Sequence, residues 1–482
     1  MHDTSDDSLR AAHTDGGQRG RRPRPAVIAA ATALLAATGV AGCSGPALTP
    51  APGGSVSSPA ASAAVHSSAA VPVPLSWSAA RAPLPADTSG VSGQYTSLVD
   101  VSCPDVGSCV AVGSDKASAA GGDVYQGLID TLSHGTWTPT SVPDVSSDTS
   151  KGFATLNGVS CPAPGTCAAV GFFDSAPGVL TPVIERLSGG HWEPVKPPLP
   201  DDAVTTESAT LTDVMCPATG TCVATGWYST QGGVHDVYVD ALADGTWTAA
   251  SVPLPGDAAP ESVSTAGAST ILAGVACPGV GTCVTMGQYR DDSGQIEPFI
   301  DTLSGGTWTA ASAPLPGDRA ATGQIAALWA IACPAPGACI AAGHYMVHGG
   351  QPRFLTEKQS GGTWTAAAIP LPADAAADQK WSQDGATAIA GLACESVGAC
   401  VATADYVDHA NEILPLIETL SGGTWTAVQA PLPADAVPGT GAANAPILQL
   451  ATCPAVGHCL TVGSYPAADG TVESLIETAA PR

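Results

Sequence analysis

Fourteen of the fifteen cysteines share one spacing: Cys103/Cys109, Cys161/Cys167, Cys216/Cys222, Cys277/Cys283, Cys333/Cys339, Cys394/Cys400 and Cys453/Cys459. Thiols at such a spacing can bind metal or bond to each other. Zinc sites favour C-x2-4-C with histidine, whereas these are C-x5-C and no histidine recurs beside them. Across a Pro-Gly connection the two thiols can face each other on adjacent strands, which reads as seven local disulfides made in an oxidising compartment. Closing so small a ring stabilises by roughly 2.4 kcal/mol in the chain-entropy account. Two further columns keep step with the cysteines. An acid stands seven residues before a recurring tryptophan: Asp130, Glu185, Asp240, Asp301, Glu357 and Glu418, with Glu477 matching in the last unit. Seven acids could bind a cation or do acid–base work. A position filled in every unit reads instead as structural, accepting hydrogen bonds from a turn or neighbouring strand. Six residues beyond the second cysteine come Phe173, Tyr228, Tyr289, Tyr345, Tyr406 and Tyr465, with Asp115 as the exception. These could stack on sugars; packing between neighbouring units is the reading adopted.

The elements that must position these columns repeat with them. Successive cysteine pairs start 55 to 61 residues apart. The unit from Ile271 to Asp318 shows four short apolar segments, at Ile271–Ala276, Val284–Tyr289, Pro298–Leu303 and Thr307–Ser312. Cys-Pro-x-x-Gly-x-Cys joins the first two and Ser-Gly-Gly the last two. Segments this short between turn residues are strands of a meander, and four per repeat make a blade. Trp77 has no cysteine pair before it, and Cys453/Cys459 has no tryptophan after it. The expectation is therefore an all-β, seven-bladed β-propeller of four antiparallel strands per blade, the N-terminal strand completing the C-terminal blade. It spans residues 71–482.

Residues 1–42 read as a secretory leader, with basic residues from Arg19 to Arg24 and an apolar run from Ala26 to Gly39. It ends in Val40-Ala41-Gly42-Cys43, which resembles the lipobox of bacterial lipoproteins. The resemblance implies that Cys43, the cysteine outside the seven pairs, carries a lipid and begins the mature chain. Residues 43–70, rich in Ser, Ala, Pro and Gly, form a flexible tether. The expected location is extracytoplasmic, anchored to the outer face of the plasma membrane through this lipid. Without the five arginines and four aspartates of the leader, 11 basic and 38 acidic residues remain, a formal charge of −27. That field repels phosphate backbones and argues against nucleic acid as a partner.

The Ser304-Gly305-Gly306-Thr307-Trp308-Thr309 element resembles the Asp-box of sialidase-type propellers. Most copies lack the Asp, and the glycine-to-tryptophan spacing is one residue shorter. Over residues 71–482 the chain resembles secreted bacterial β-propeller repeat lipoproteins. No Gly-x-Ser-x-Gly elbow, phosphate-binding glycine loop or HExxH occurs, so no cofactor or metal and no catalytic residue is assigned. The expected function is a monomeric, non-catalytic binding module for a glycan or protein. The alternative is a glycan-active hydrolase or lyase with its site at the channel mouth. The expected binding face is the rim opposite the cysteines, where connections differ between blades. Its candidates are Arg290, Asp291, Asp292, His344, Arg353, Trp381 and Asp408. His344 and His348 read as a solvated pair on a strand end and loop.

Overall fold

A computed structural model describes residues 74–86, 94–119, 122–142, 154–176, 179–231, 235–259, 270–377, 379, 389–437 and 445–481. The leader, Cys43, the tether and Trp381 lie outside the described residues. Within them are 28 strands in seven four-stranded antiparallel sheets, and no helix. The first strand of each blade packs beside that of the next, so these strands surround the axis and the tryptophan strands lie outermost.

In the Ile271 unit the strands are Ile271–Gly279, Thr282–Arg290, Ile296–Ser304 and Thr307–Ser312. The first two run further than expected because the cysteine segment is itself a hairpin. Its ladder continues to Gly279 opposite Thr282, leaving only Val280 and Gly281 at the tip. Gly281, the second tip residue, has φ 75°, a left-handed conformation that favours glycine.

All seven cysteine pairs form disulfides, with Cα atoms 4.0–4.1 Å apart. Seven such bonds fit an oxidising, extracytoplasmic setting. Their placement differs from the expectation in one way. Only Cys394 and Cys400 face each other as ladder partners. In the other six blades the register shifts at the pair, as between Ala276 and Gly279 around Cys277 and Cys283. The second cysteine of each pair lies in the core. The second cysteines, Cys109, Cys167, Cys222, Cys283, Cys339, Cys400 and Cys459, are only 1–4% exposed. Each packs in a separate inter-blade cluster. Cys283 lies with Val223 and Val239 of the preceding blade, Cys339 with Val284 and Ile300, and Cys400 with Ile340 and Phe354. Cys222 packs likewise with Ala168 and Ile184, and Cys109 with Leu460 and Ile476 of the last blade. The physical reason is the bond itself, which removes the polar thiol and leaves an apolar link that the neighbouring blade can cover.

A second constraint lies further along the same hairpin. The ladder shifts register between Leu272 and Gly274, and a Cβ at Gly287 would collide with the Ile271 carbonyl oxygen. Glycine stands there because two backbones approach closely.

Both faces of each blade are covered by neighbours, so the inner strands read as near-continuous apolar runs rather than alternating ones. Ile340, Ala342 and Phe354 of blade five meet Leu392, Ala402, Leu416 and Leu420 of blade six, and corresponding clusters recur around the ring. In the last blade the outer strand is Leu75–Arg81. It pairs with Val472–Pro481, Leu75 opposite Pro481 and Arg81 opposite Leu475. Blade one packs on the other face of that sheet, with Leu98 and Val101 against Leu460, Val462 and Ile476. The Ser474 N–H donates to Thr96 Oγ1 at 2.9 Å across the same junction.

Candidate functional site

Strand direction puts the disulfide hairpins and the Ser-Gly-Gly turns on one rim. The connections between second and third strands, and those leading to the next blade, share the other. On that second rim the two kinds of connection are tied to each other. Isolated bridges join Ala203 to Thr230, Ala258 to Asp291, Arg319 to Val347, Ala375 to Asp408 and Ala436 to Ala467. Each follows a Pro-Leu-Pro segment and a turn such as Ala258 N–H to Pro255 carbonyl, 2.9 Å.

The acid of that turn receives a hydrogen bond from below. Tyr228, Tyr289, Tyr345, Tyr406 and Tyr465 donate their hydroxyls to Asp202, Asp257, Asp318, Asp374 and Asp435 at 2.9–3.2 Å. Their rings are 0–1% exposed, so they pack between blades and present no face to a sugar. Burial and the neighbouring carboxylate raise these phenols, to about 12 for Tyr228 and Tyr345. The tyrosine column was legible in the sequence; its aspartate partners were not singled out, although in all five pairs the aspartate stands two residues after the second proline of Pro-Leu-Pro.

The expected binding residues divide by role. Asp291 and Asp408 hold turns, accepting from the backbone N–H of Gln295 (2.7 Å) and Glu412 (2.8 Å). Ser293 Oγ also donates to Asp291 at 2.9 Å, and these bonds hold its carboxyl below the usual range. Arg290 donates to the Gly294 carbonyl of its own loop at 2.8 Å. Asp292 and Arg353 are exposed. Arg353 makes no ion pair among the described residues, whereas Arg81 meets Glu473 at 2.7 Å and Arg319 meets Glu297 at 3.5 Å. Arg353, Gln351, Leu371 and Pro372 line a cavity of about 290 Å³ on this rim.

Two further expectations fail. His344 is neither solvated nor on the rim, because the second strand of its blade runs to Met346 and carries the ring fully inside. The Trp329 Nε1–H donates to its Nδ1 at 3.1 Å, which leaves the proton on Nε2, and burial pushes the imidazole down to about 3. His348 alone of the pair is exposed. The seven acids do not accept hydrogen bonds from a turn or strand either. All are 0% exposed, and neither oxygen of any of them has a donor among the described residues. Each sits in an inter-blade core beside small residues, as Glu418 does between Ala402 and Ala427. Burial raises these carboxyls to about 7 in Asp130, Glu185, Asp240 and Asp301, and to about 8 in Glu357, Glu418 and Glu477.

Acids that do bridge blades lie at the axis. Asp100 accepts from the N–H of Val101 and, one blade on, of Val159, both at 2.6 Å. Asp213 does the same with Val214 at 2.7 Å and Val275 at 2.9 Å. Burial, and then the charge of Asp213, push Asp100 well up. These carboxylates join inner strands and are spent on backbone. A larger cleft, about 660 Å³, opens at the disulfide rim between blades one and two. Thr131, Thr138, Thr140 and Ser108 face His191, Trp192 and the Cys161–Cys167 disulfide across it. Its residues were not singled out by sequence, since the cleft arises from the meeting of two blades.

No protein-family model matches the chain, and no curated protein is similar to it in sequence. Solved structures are similar at a distance. A Dyadobacter fermentans protein of unknown function aligns at 11% identity and TM-score 0.42, over 68% of this chain and 95% of its own. A fucose-specific lectin from Aleuria aurantia aligns at 12% identity and TM-score 0.33, over 67% and 90%. A Hadza microbial sialidase aligns at 12% identity and TM-score 0.36, over 76% and 74%.

Proposed function

We propose that this chain is an extracytoplasmic binding module, lipid-anchored through Cys43, that takes a glycan or protein on the rim opposite its disulfides without transforming it. The observation that carries this reading is the bracing of that rim. In five blades the described start of the linker is stitched to a loop by a bridge, and its turn is pinned by a buried tyrosine, so these segments of differing sequence are braced against each other. A surface ordered before it meets its ligand loses little freedom on binding, which favours recognition. Exposed side chains such as Arg353 and Asp292 then decide what is recognised. The acid-rich field excludes polyanions and suits a neutral glycan or a basic protein patch.

The test is binding of the purified chain to an array of cell-surface glycans and to a panel of purified envelope proteins. Arg353→Ala and Asp292→Ala should each weaken the captured ligand by about tenfold, as for loss of one buried polar contact, at unchanged melting temperature. If Trp192→Ala abolishes binding and the rim variants do not, the site is the blade one–two cleft. Turnover of a bound glycan would establish the glycan-active alternative.

A further inference from the structure

The disulfide rim has an unusual chemistry for a protein of this charge. Each cysteine hairpin ends in two residues, and the first is exposed in all seven. Four are valines, Val106 56%, Val280 63%, Val397 61% and Val456 52% exposed, which makes four of the six large exposed hydrophobic side chains among the described residues. Pro164 and Pro336 occupy two more, and Thr219 the seventh. A disulfide directly behind each tip holds it in place.

Charge is nearly missing here. The cysteine hairpins and the described outer turns of this rim hold only Asp105, Glu395 and Asp244 as acids and no Lys or Arg. Glu395 is already engaged by the Gly457 N–H at 2.8 Å. The other rim carries the turn aspartates and the arginines discussed above. Beside the tips stands a second ring. The recurring tryptophans, Trp137 to Trp425, lie one residue inside the outer turns, and all are half-buried.

The polypeptide also enters the propeller from this rim. Leu75 pairs with Pro481, and Pro481 lies against Gly457 of the last cysteine hairpin. Upstream, Ser44 to Val73 is 30 residues of mostly Ser, Ala, Pro and Gly.

We infer that the disulfide rim rests on the surface of a neutral lipid bilayer, with the valine and proline tips among the headgroups and the tryptophan ring at the interface. The orientation rests on the anchored reading above. Rigid apolar tips enter an interface at little entropic cost, and half-buried tryptophans are suited to its mixed polarity. An acidic protein meets a membrane best through its least charged face. The braced loop rim is then turned outward to the ligand.

The contact can be tested without the lipid. The full chain carrying Cys43→Ser is floated with phosphatidylcholine vesicles, alone and with Val106→Ser, Val280→Ser, Val397→Ser and Val456→Ser combined. The bound fraction should fall at least about threefold in the combined variant, as expected from four lost apolar contacts. Brominated lipid should quench tryptophan emission of the parent and spare the variant. Matching far-ultraviolet spectra and melting temperatures show that both are folded. Absence of flotation by the parent, or equal flotation of both proteins, overturns the inference. So does a parent dimer, seen by sedimentation and lost in the variant, in place of vesicle binding, since the rim would then be a self-interface. The mass of the Cys43 peptide from the natural chain decides the anchor separately.

Discussion

A carboxyl group with no donor in an apolar interface is pushed toward the neutral acid, and seven of them sit in this ring. Glu418 illustrates the consequence. Unfolded, it ionises near its ordinary value of 4.5; folded, it holds its proton to about 8. Between these values the folded state binds the extra proton, so stability falls as pH rises through the window and levels off above it. Glu418→Gln keeps the shape and cannot ionise. Its melting temperature should match the parent at about pH 4 and exceed it by several degrees at about pH 9, as calorimetry across pH would show. A parent whose melting temperature rises over that range would contradict this account. The acid column itself was visible in the sequence as a period. Its role was not, because an accepting partner and an empty apolar surround look alike until the opposing blade is in place. The cysteines divide the same way: their pairing followed from spacing, and the burial of Cys283 or Cys400 only from the blade packed against it. His344 was misplaced for a related reason, since a longer ladder carried a residue assigned to a strand end into the interior.

Among the elements, the tyrosine–aspartate pairs do the work of a hinge pin. Tyr289 is 1% exposed and reaches Asp257 at 2.9 Å and Ser312 Oγ at 2.8 Å. Tyr289→Phe removes a bond to an ionised acceptor and should cost about 1.5–3 kcal/mol. Hydrogen exchange should quicken at Ala259 and Asp292, whose N–H groups bond to the Arg290 and Asp257 carbonyls, while the disulfide hairpin stays protected. Uniform acceleration over the whole blade would mean that the pair supports the sheet and not the loop. The strands themselves were readable from sequence to within three residues, since Gly, Pro and short apolar runs mark them locally. Bridges such as Ala258 to Asp291 were not, because they join residues whose proximity only the closed ring creates.

At the scale of the whole molecule, seven sheets each lend a face to the next, and the last depends on a strand from the other end of the chain. Deleting residues 71–86 should uncover the edge of Val472–Pro481, lower the melting temperature by about ten degrees or more, and promote association through the free edge. A truncated protein that stays monomeric and melts with the parent would sink this topology. Circular closure was inferred from what the two ends of the sequence lacked, which is a whole-chain property that no single repeat contains.

The pairing of Leu75 with Pro481 also sets an order of events during synthesis. Strand Leu75–Arg81 is made early and must wait for Val472–Pro481 before it can pair, Leu75 meeting a residue 406 positions later. Six blades take all four strands from one continuous stretch of chain; the seventh is complete only once Val472–Pro481 has been made. A chain cut short before Val472 by a nonsense codon or a stalled ribosome therefore leaves Leu75–Arg81 without its partner strand. That strand is a signal of incompleteness, displayed at the end of the molecule opposite to the fault.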